Sequence, residues 1–246
     1  MKMGRRAYIA EFIGTFALVF FSSMSVTIFT AVLGLSSGAA SLLGIAFARG
    51  LILMAMVYAI GWISQCHINP AITITTVALG KMHVDDGVGY LVAQVLGATV
   101  AGLANLLIQP GNGALTGFGG PSPGAAIGGS DIMALLIELI ITFFLMFSVY
   151  AVLFTGKVHP AASGLLIGMT WMADILIAGP LTGAAANPAV ALGPAIASGN
   201  FSNLWIYWVG PILGALLAGF VWEYLLIEKK TRGTETGRSG TKEWND

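Results

Sequence analysis

The stretch HINPAITITTVALGK, residues 67–81, suits neither water nor lipid as an ordinary element. It is too apolar for a loop between membrane spans. Its roughly ten helix-forming residues reach only about 15 Å, half of a bilayer. A second stretch, GAAANPAVALGPAIASG at 183–199, has the same character. In each, Pro stands at the first helical position with Asn directly before it, a favourable N-cap pair. Two such pieces entering from opposite sides would meet at their Asn-Pro ends in mid-bilayer. Non-helical backbone at that depth is tolerated only where it is buried in protein or lines a wet cavity. The plainer alternative, amphipathic segments lying on the membrane surface, lacks the charged face that such helices need.

The surroundings of these stretches agree with a bilayer. Of 246 residues, 57% are hydrophobic and 9% charged, against about a quarter charged in an ordinary soluble domain. Net charge is zero, so no basic stripe exists to neutralise phosphates and nucleic acid is excluded as a partner. Cys66 is the single cysteine, which rules out an internal disulfide. No cleavable signal peptide is evident, because the first apolar run is long enough to span.

Six spans are expected, at about 8–33, 40–63, 88–108, 132–154, 160–179 and 203–227. Lys2, Arg5, Arg6, Lys81, Lys157 and the five cations after residue 228 all fall on one side of such a chain. The other connections carry no Lys or Arg, so the positive-inside rule puts both termini in the cytoplasm. The eleventh cation, Arg49, lies inside GIAFARGLILMAMVYAIG, residues 44–61, in the second span.

The chain also repeats itself. EFIGTFALVF (11–20) parallels ELIITFFLMF (138–147), INPA (68–71) parallels ANPA (186–189), and LGATVAG (96–102) parallels LGALLAG (213–219). Three spans per copy is an odd number, so the second copy must lie upside down relative to the first. Inverted repeats whose broken helices meet at the midplane are the architecture of a transport pathway. The expected fold is an all-α membrane protein of six transmembrane helices plus two re-entrant half-helices. It forms a single channel domain, with repeat 1 at about 7–108, an extracellular loop at 109–131 built of turn residues, repeat 2 at about 132–227 and a disordered cytoplasmic tail at 228–246. Glycine at 33 positions, with small residues three to four apart in spans 3 and 6, suits close helix packing.

Six spans, two Asn-Pro-Ala half-helices, AEFIGTF, HINPA, AQVLGA, GPLTG and NFSNLWIYWVGP together resemble the aquaporins of the major intrinsic protein family, over roughly residues 7–227. The general look is nearest to prokaryotic or archaeal water channels. The resemblance implies a pore whose midpoint is formed by Asn69, Pro70, Ala71, Asn187, Pro188 and Ala189. Physics supports that role independently: each half-helix presents about half a positive charge at its N-terminus. A side-chain oxygen used in capping leaves the asparagine NH2 to bond a passing water oxygen. Glu11 and Glu138 are intramembrane carboxylates, which the resemblance makes supports of the re-entrant loops rather than proton carriers; buried carboxylates need partners, and such loops have unpaired N–H groups to offer. His67 is expected at the cytoplasmic mouth of the pore. No His or Cys spacing supplies a tetrahedral metal set, and no cofactor is called for.

The family places a narrow filter on the outer side of the Asn-Pro-Ala junction and usually puts an arginine after the second motif. Here that residue is Val190. The other filter positions implied by the resemblance are Ile175, Ala184 and, in span 2, Arg49. Arg49 thus stands as a substitute for the missing arginine, lining the pore and donating to permeating oxygens. Two alternatives remain at this stage: pairing with Asp174, or snorkelling from a lipid face. Tyr207, Trp208, Ala191 and Ala195 fit water-selective members, whereas GPLTG resembles glycerol facilitators. A passive water channel, a homotetramer in the family, is the leading expectation, with glycerol-like neutral solutes as the alternative cargo. Rivals of other classes are an ion-coupled transporter, which needs more ionisable groups at the midplane, and a structural membrane protein, which needs no open pore. No intramembrane nucleophile and base or metal spacing supports an enzyme.

Overall fold

Six helices of 21–28 residues are long and apolar enough to cross a bilayer, and two shorter ones fill the gaps between them. The structure, a computed structural model, describes residues 3–35 and 38–227. The tail expected to be disordered, 228–246, lies outside the described residues, as do Lys2 and the five cations that follow the last span.

In chain order the helices are α1 (Arg5–Val26), which runs on through a π turn to Val32, then α2 (Ala39–Ser64), α3 (Pro70–Ala78) and α4 (Val84–Ile108). After these come α5 (Pro110–Leu115), α6 (Asp131–Phe154), α7 (Pro160–Thr182), α8 (Pro188–Ser198) and α9 (Ile206–Val221), the last continuing through Leu226. There is no strand among the described residues. The helices start where local chemistry favours it. Pro occupies the first turn of α3, α7 and α8, and Ser130 caps α6, accepting from the Met133 N–H.

The expected spans hold to within a few residues. The loop is different. Residues 109–131, expected as an extended run of turns, contain α5 and two 3₁₀ turns. The segment is fastened to the end of α7 by Gly124 N–H donating to Leu181 O at 2.7 Å. A run of Gly, Pro and Ser gives no periodicity from which inward folding could be read.

Packing follows the internal duplication. α1 lies against α2 and α4, as α6 lies against α7 and α9. The two copies meet along α2 and α7. At that crossing a Cβ on Gly50 would stand 2.9 Å from Gly168 O, and one on Gly168 would stand 2.6 Å from Gly50 O, so only glycine permits the approach. Met172 borders the first glycine and Met54 the second. The relation is reciprocal, as an inverted repeat requires. The half-helices are exchanged: α3 of the first copy packs chiefly on α9 of the second, and α8 of the second packs on α4 of the first.

Residues from three distant parts of the chain gather on one face. Met3 N–H and Tyr8 OH donate to Asp86 at 3.1 and 2.9 Å, and Lys81 pairs with Glu223 at 2.9 Å. Tyr150 OH also donates to Glu223. The start of α1, the α3–α4 connection and the end of α9 therefore lie on the same side.

Candidate functional site

The two half-helices begin in the same way. Asn69 and Asn187 adopt extended backbone, with φ of −153° and −162°. Each caps its own helix, the side-chain oxygen accepting the N–H of Ala71 or Ala189 at 2.9 Å. Each then reaches across to the other copy. Asn69 Nδ2 donates to Ala186 O at 2.9 Å, and Asn187 Nδ2 donates to Ile68 O at 2.9 Å. The NH2 groups are thus only half committed: one hydrogen of each locks the opposite loop.

Backbone at the junction is strained in parallel. Gln65, Cys66 and Ile68 have φ of 64°, 51° and 38°, and Gly183, Ala184 and Ala186 have φ of 85°, 48° and 48°. Non-glycine residues in this region cost free energy and persist only where surroundings impose them. The buried carboxylates bond directly to these turns. Glu11 accepts from the Ser64 hydroxyl (2.7 Å), the N–H groups of His67 (2.9 Å) and Ile68 (2.6 Å), and Gln94 Nε2 (2.8 Å). Glu138 accepts from the Thr182 hydroxyl (2.7 Å) and the N–H groups of Ala185 (3.1 Å) and Ala186 (2.8 Å). Ser64 and Thr182 in turn accept the N–H groups of Cys66 and Ala184, both at 3.1 Å. Tyr90 and Tyr207 close the ends of α2 and α7, donating to Ser64 O at 2.9 Å and Thr182 O at 2.8 Å. Sequence reasoning found the two glutamates but not these two layers behind them. The paired offsets of Ser64 with Thr182 and Tyr90 with Tyr207 were the available signal.

Arg49 is 3% exposed, which excludes a lipid-facing position. Its Nη1 donates to Gly183 O at 2.8 Å, with a long contact of 3.4 Å from Nε to Ser22 O. It makes no ion pair with Asp174, whose Oδ2 has no protein partner among the described residues. The guanidinium is therefore fixed to the residue just before Ala184, with its remaining N–H groups uncommitted. Ile175, Ala184 and Val190 are likewise buried, on α7, on the loop after it and in the first turn of α8.

His67 is 1% exposed. Its Nδ1 lies 3.1 Å from Thr73 Oγ1 and its ring meets Tyr90 edge-on at 5.3 Å. Together with Cys66, Asn69, Asn187, Leu18, Leu53 and Trp171 it borders a cavity of about 20 Å³, room for about one water. Ile167 also borders that cavity, and it borders a wider one of about 380 Å³ toward the Pro160 end of α7, which Tyr58 and Gln65 line as well. On the opposite side, Ala191, Ala195 and Tyr207 line a separate cavity of about 290 Å³ beneath the 109–131 segment. Among the described residues no cluster of three or more His, Cys, Asp and Glu could hold a metal ion.

The model for the major intrinsic protein family matches residues 2–222. The chain belongs to the major intrinsic protein family. This aquaporin-family chain is 39% identical to aquaporin NIP1-1 of Zea mays over 223 residues, covering 89% of this chain and 73% of that one. It is 38% identical to the probable aquaporin TIP2-2 of Oryza sativa subsp. japonica over 232 residues, 90% and 88% of the two chains. The X-ray structure of the aquaglyceroporin from Plasmodium falciparum superposes with a TM-score of 0.78, covering 89% of this chain and 96% of that one. At 24% identity it is a likeness of fold. The sequence had suggested a prokaryotic or archaeal type, and these relatives redirect that expectation toward plant aquaporins. A match on short motifs identifies the family but not the branch, because every branch needs the same capped half-helices.

Proposed function

We propose that this protein is a passive water channel of the cell membrane that excludes protons and ions. The observation that carries the reading is the reciprocal asparagine pair: two helix N-termini meet, cross-locked, beside a cavity with room for about one water. Each asparagine keeps one N–H for a water oxygen. A water held by its oxygen at that point points its hydrogens away on both sides, so no continuous proton wire passes. The partial positive charge of two helix ends repels cations in addition.

In this reading Arg49, Ile175, Ala184 and Val190 form the filter on the outer side of the junction, with Arg49 carrying the donors that an arginine at 190 would otherwise supply. Glu11 and Glu138 support the loops. An ion-coupled transporter is disfavoured by their hydrogen bonds, which occupy the carboxylate oxygens. The chain acts as a single channel domain with repeats at about 7–108 and 132–227, assembles as a homotetramer and holds both termini in the cytoplasm, on the strength of its cation distribution.

Small neutral solutes such as glycerol are the second reading, favoured by GPLTG at 179–183 and by a filter without His or aromatic side chains. Stopped-flow light scattering on proteoliposomes tests both. Shrinkage under a sucrose gradient well above that of protein-free liposomes is expected, without rapid reswelling under glycerol. Reswelling would establish the broader cargo, and shrinkage at the protein-free rate would exclude a channel.

A further inference from the structure

The narrow cavity at the asparagine junction has an unexpected wall. Trp171 stands on α7 one helical turn toward the Pro160 end from Ile175, is 1% exposed, and borders the cavity. Its Nε1–H finds no protein partner among the described residues. Buried tryptophans normally satisfy that donor. His67, on the same cavity, likewise has an unpartnered ring nitrogen, Nε2.

The tautomer of His67 follows from its neighbours. Gln94 Nε2 donates one hydrogen to Glu11 and the other to Thr73 Oγ1, at 2.8 and 2.9 Å. Thr73 Oγ1 accepts from Gln94, and the one acceptor within reach of its own proton among the described residues is His67 Nδ1, 3.1 Å away. The imidazole proton consequently sits on Nε2. Both orphaned atoms on the cavity are donors. With the spare N–H groups of Asn69 and Asn187, the wall offers hydrogen-bond donors from four side chains, while each asparagine oxygen already accepts a capping bond. The rest of the lining is aliphatic apart from Cys66. A small solute that presents lone pairs satisfies such a wall.

We propose that Trp171 is a specificity-determining residue of the pore: its ring forms a second constriction at the junction, and its Nε1–H, with His67 Nε2–H, binds the oxygen of the permeating molecule. This rests on the channel reading above. It explains how a chain with small Ala184 and Val190 at its outer filter restricts passage, since the bulk sits one turn further along α7. The inverted repeat sharpens the point. The position on α2 that corresponds to Trp171 is Leu53, which borders the same cavity, so the indole donor has no counterpart in the other copy.

The test uses the full chain in proteoliposomes, with sucrose and glycerol gradients as probes and helicity in detergent as the check on folding. Trp171→Ala opens the constriction, and glycerol permeability is expected to rise roughly tenfold or more. Trp171→Phe retains most of the ring and loses the donor; glycerol stays excluded and water permeability falls roughly fivefold, the equivalent of about one hydrogen bond. If Trp171→Ala does not fold, Trp171→Leu carries the size arm. Glycerol exclusion intact in the folded small variant overturns the constriction, and full water flux in Trp171→Phe overturns the donor role. A wild type that conducts no water overturns the channel reading itself, and this proposal with it.

Discussion

Arg49 shows how a single charge can be tolerated in an apolar helix. A cation at this depth costs at least about 2.5–3.5 kcal/mol on a lipid face, yet here the guanidinium bonds a carbonyl of the left-handed turn that ends α7. Arg49→Val is expected to raise proton and cation leakage of proteoliposomes, with water flux retained; a pH-sensitive dye trapped inside reads the leak, and unchanged exclusion would refute the filter role. Glu138 is the sharper structural case. Its loss in Glu138→Ala strands two loop N–H groups, each costing about 1–3 kcal/mol when buried unpaired, and leaves the Thr182 hydroxyl only a long 3.4 Å bond to Ala178 O. A drop of roughly 3–5 kcal/mol is expected, read as a lower unfolding midpoint in detergent, and a variant as stable as the parent would contradict the support role. Much of this was legible in the sequence. The glutamates and asparagines stood out because each is polar where its neighbours are not. Arg49 was visible for the same reason, but its bond to Gly183 depends on a contact between residues far apart in the chain. Trp171 raised no alarm, since a tryptophan in an apolar span looks ordinary until its nitrogen is found without a partner.

At the scale of elements, the half-helices are short because the asparagine caps fix their starts and glycine-type turns fix their ends. Length alone therefore told that they do not span, and the spacing of two identical motifs told that they meet. What could not be read was which helices hold them, because apolar faces that pack on lipid and on protein have the same composition. The α2–α7 crossing exposes the difference. Gly168→Ala would push a methyl to within 2.6 Å of Gly50 O, a backbone group that cannot swing aside. Destabilisation of about 1–3 kcal/mol is expected. Gly61→Ala, on the same α2 helix, meets nothing nearer than 4.0 Å and is expected to be neutral or slightly stabilising. Thermal unfolding of the pair measures the contrast, and equal midpoints would show that the crossing is looser than described.

At the scale of the molecule, the contacts that gather Met3, Lys81 and Glu223 on one face put the start of α1 and the end of α9 on the same side. Epitope tags at the two ends should both be protected in intact cells and both exposed after permeabilisation; a tag reached from outside would reverse the topology. The reciprocal bonds between Asn69 and Ala186, and between Asn187 and Ile68, have a consequence for how the chain is made. A ribosome delivers the first repeat well before the second. In that interval Asn69 Nδ2 and the carbonyl of Ile68 lack their partners from the second repeat, and α3 lacks the α9 surface on which it packs. The first half must therefore wait, half-finished, in the bilayer until its twin arrives upside down beside it. The same exchange predicts that the two repeats can find each other without a covalent link. A chain cut between Gly128 and Gly129, where both residues have positive φ and open space around them, should yield two fragments that are inactive alone and restore water flux when synthesised together.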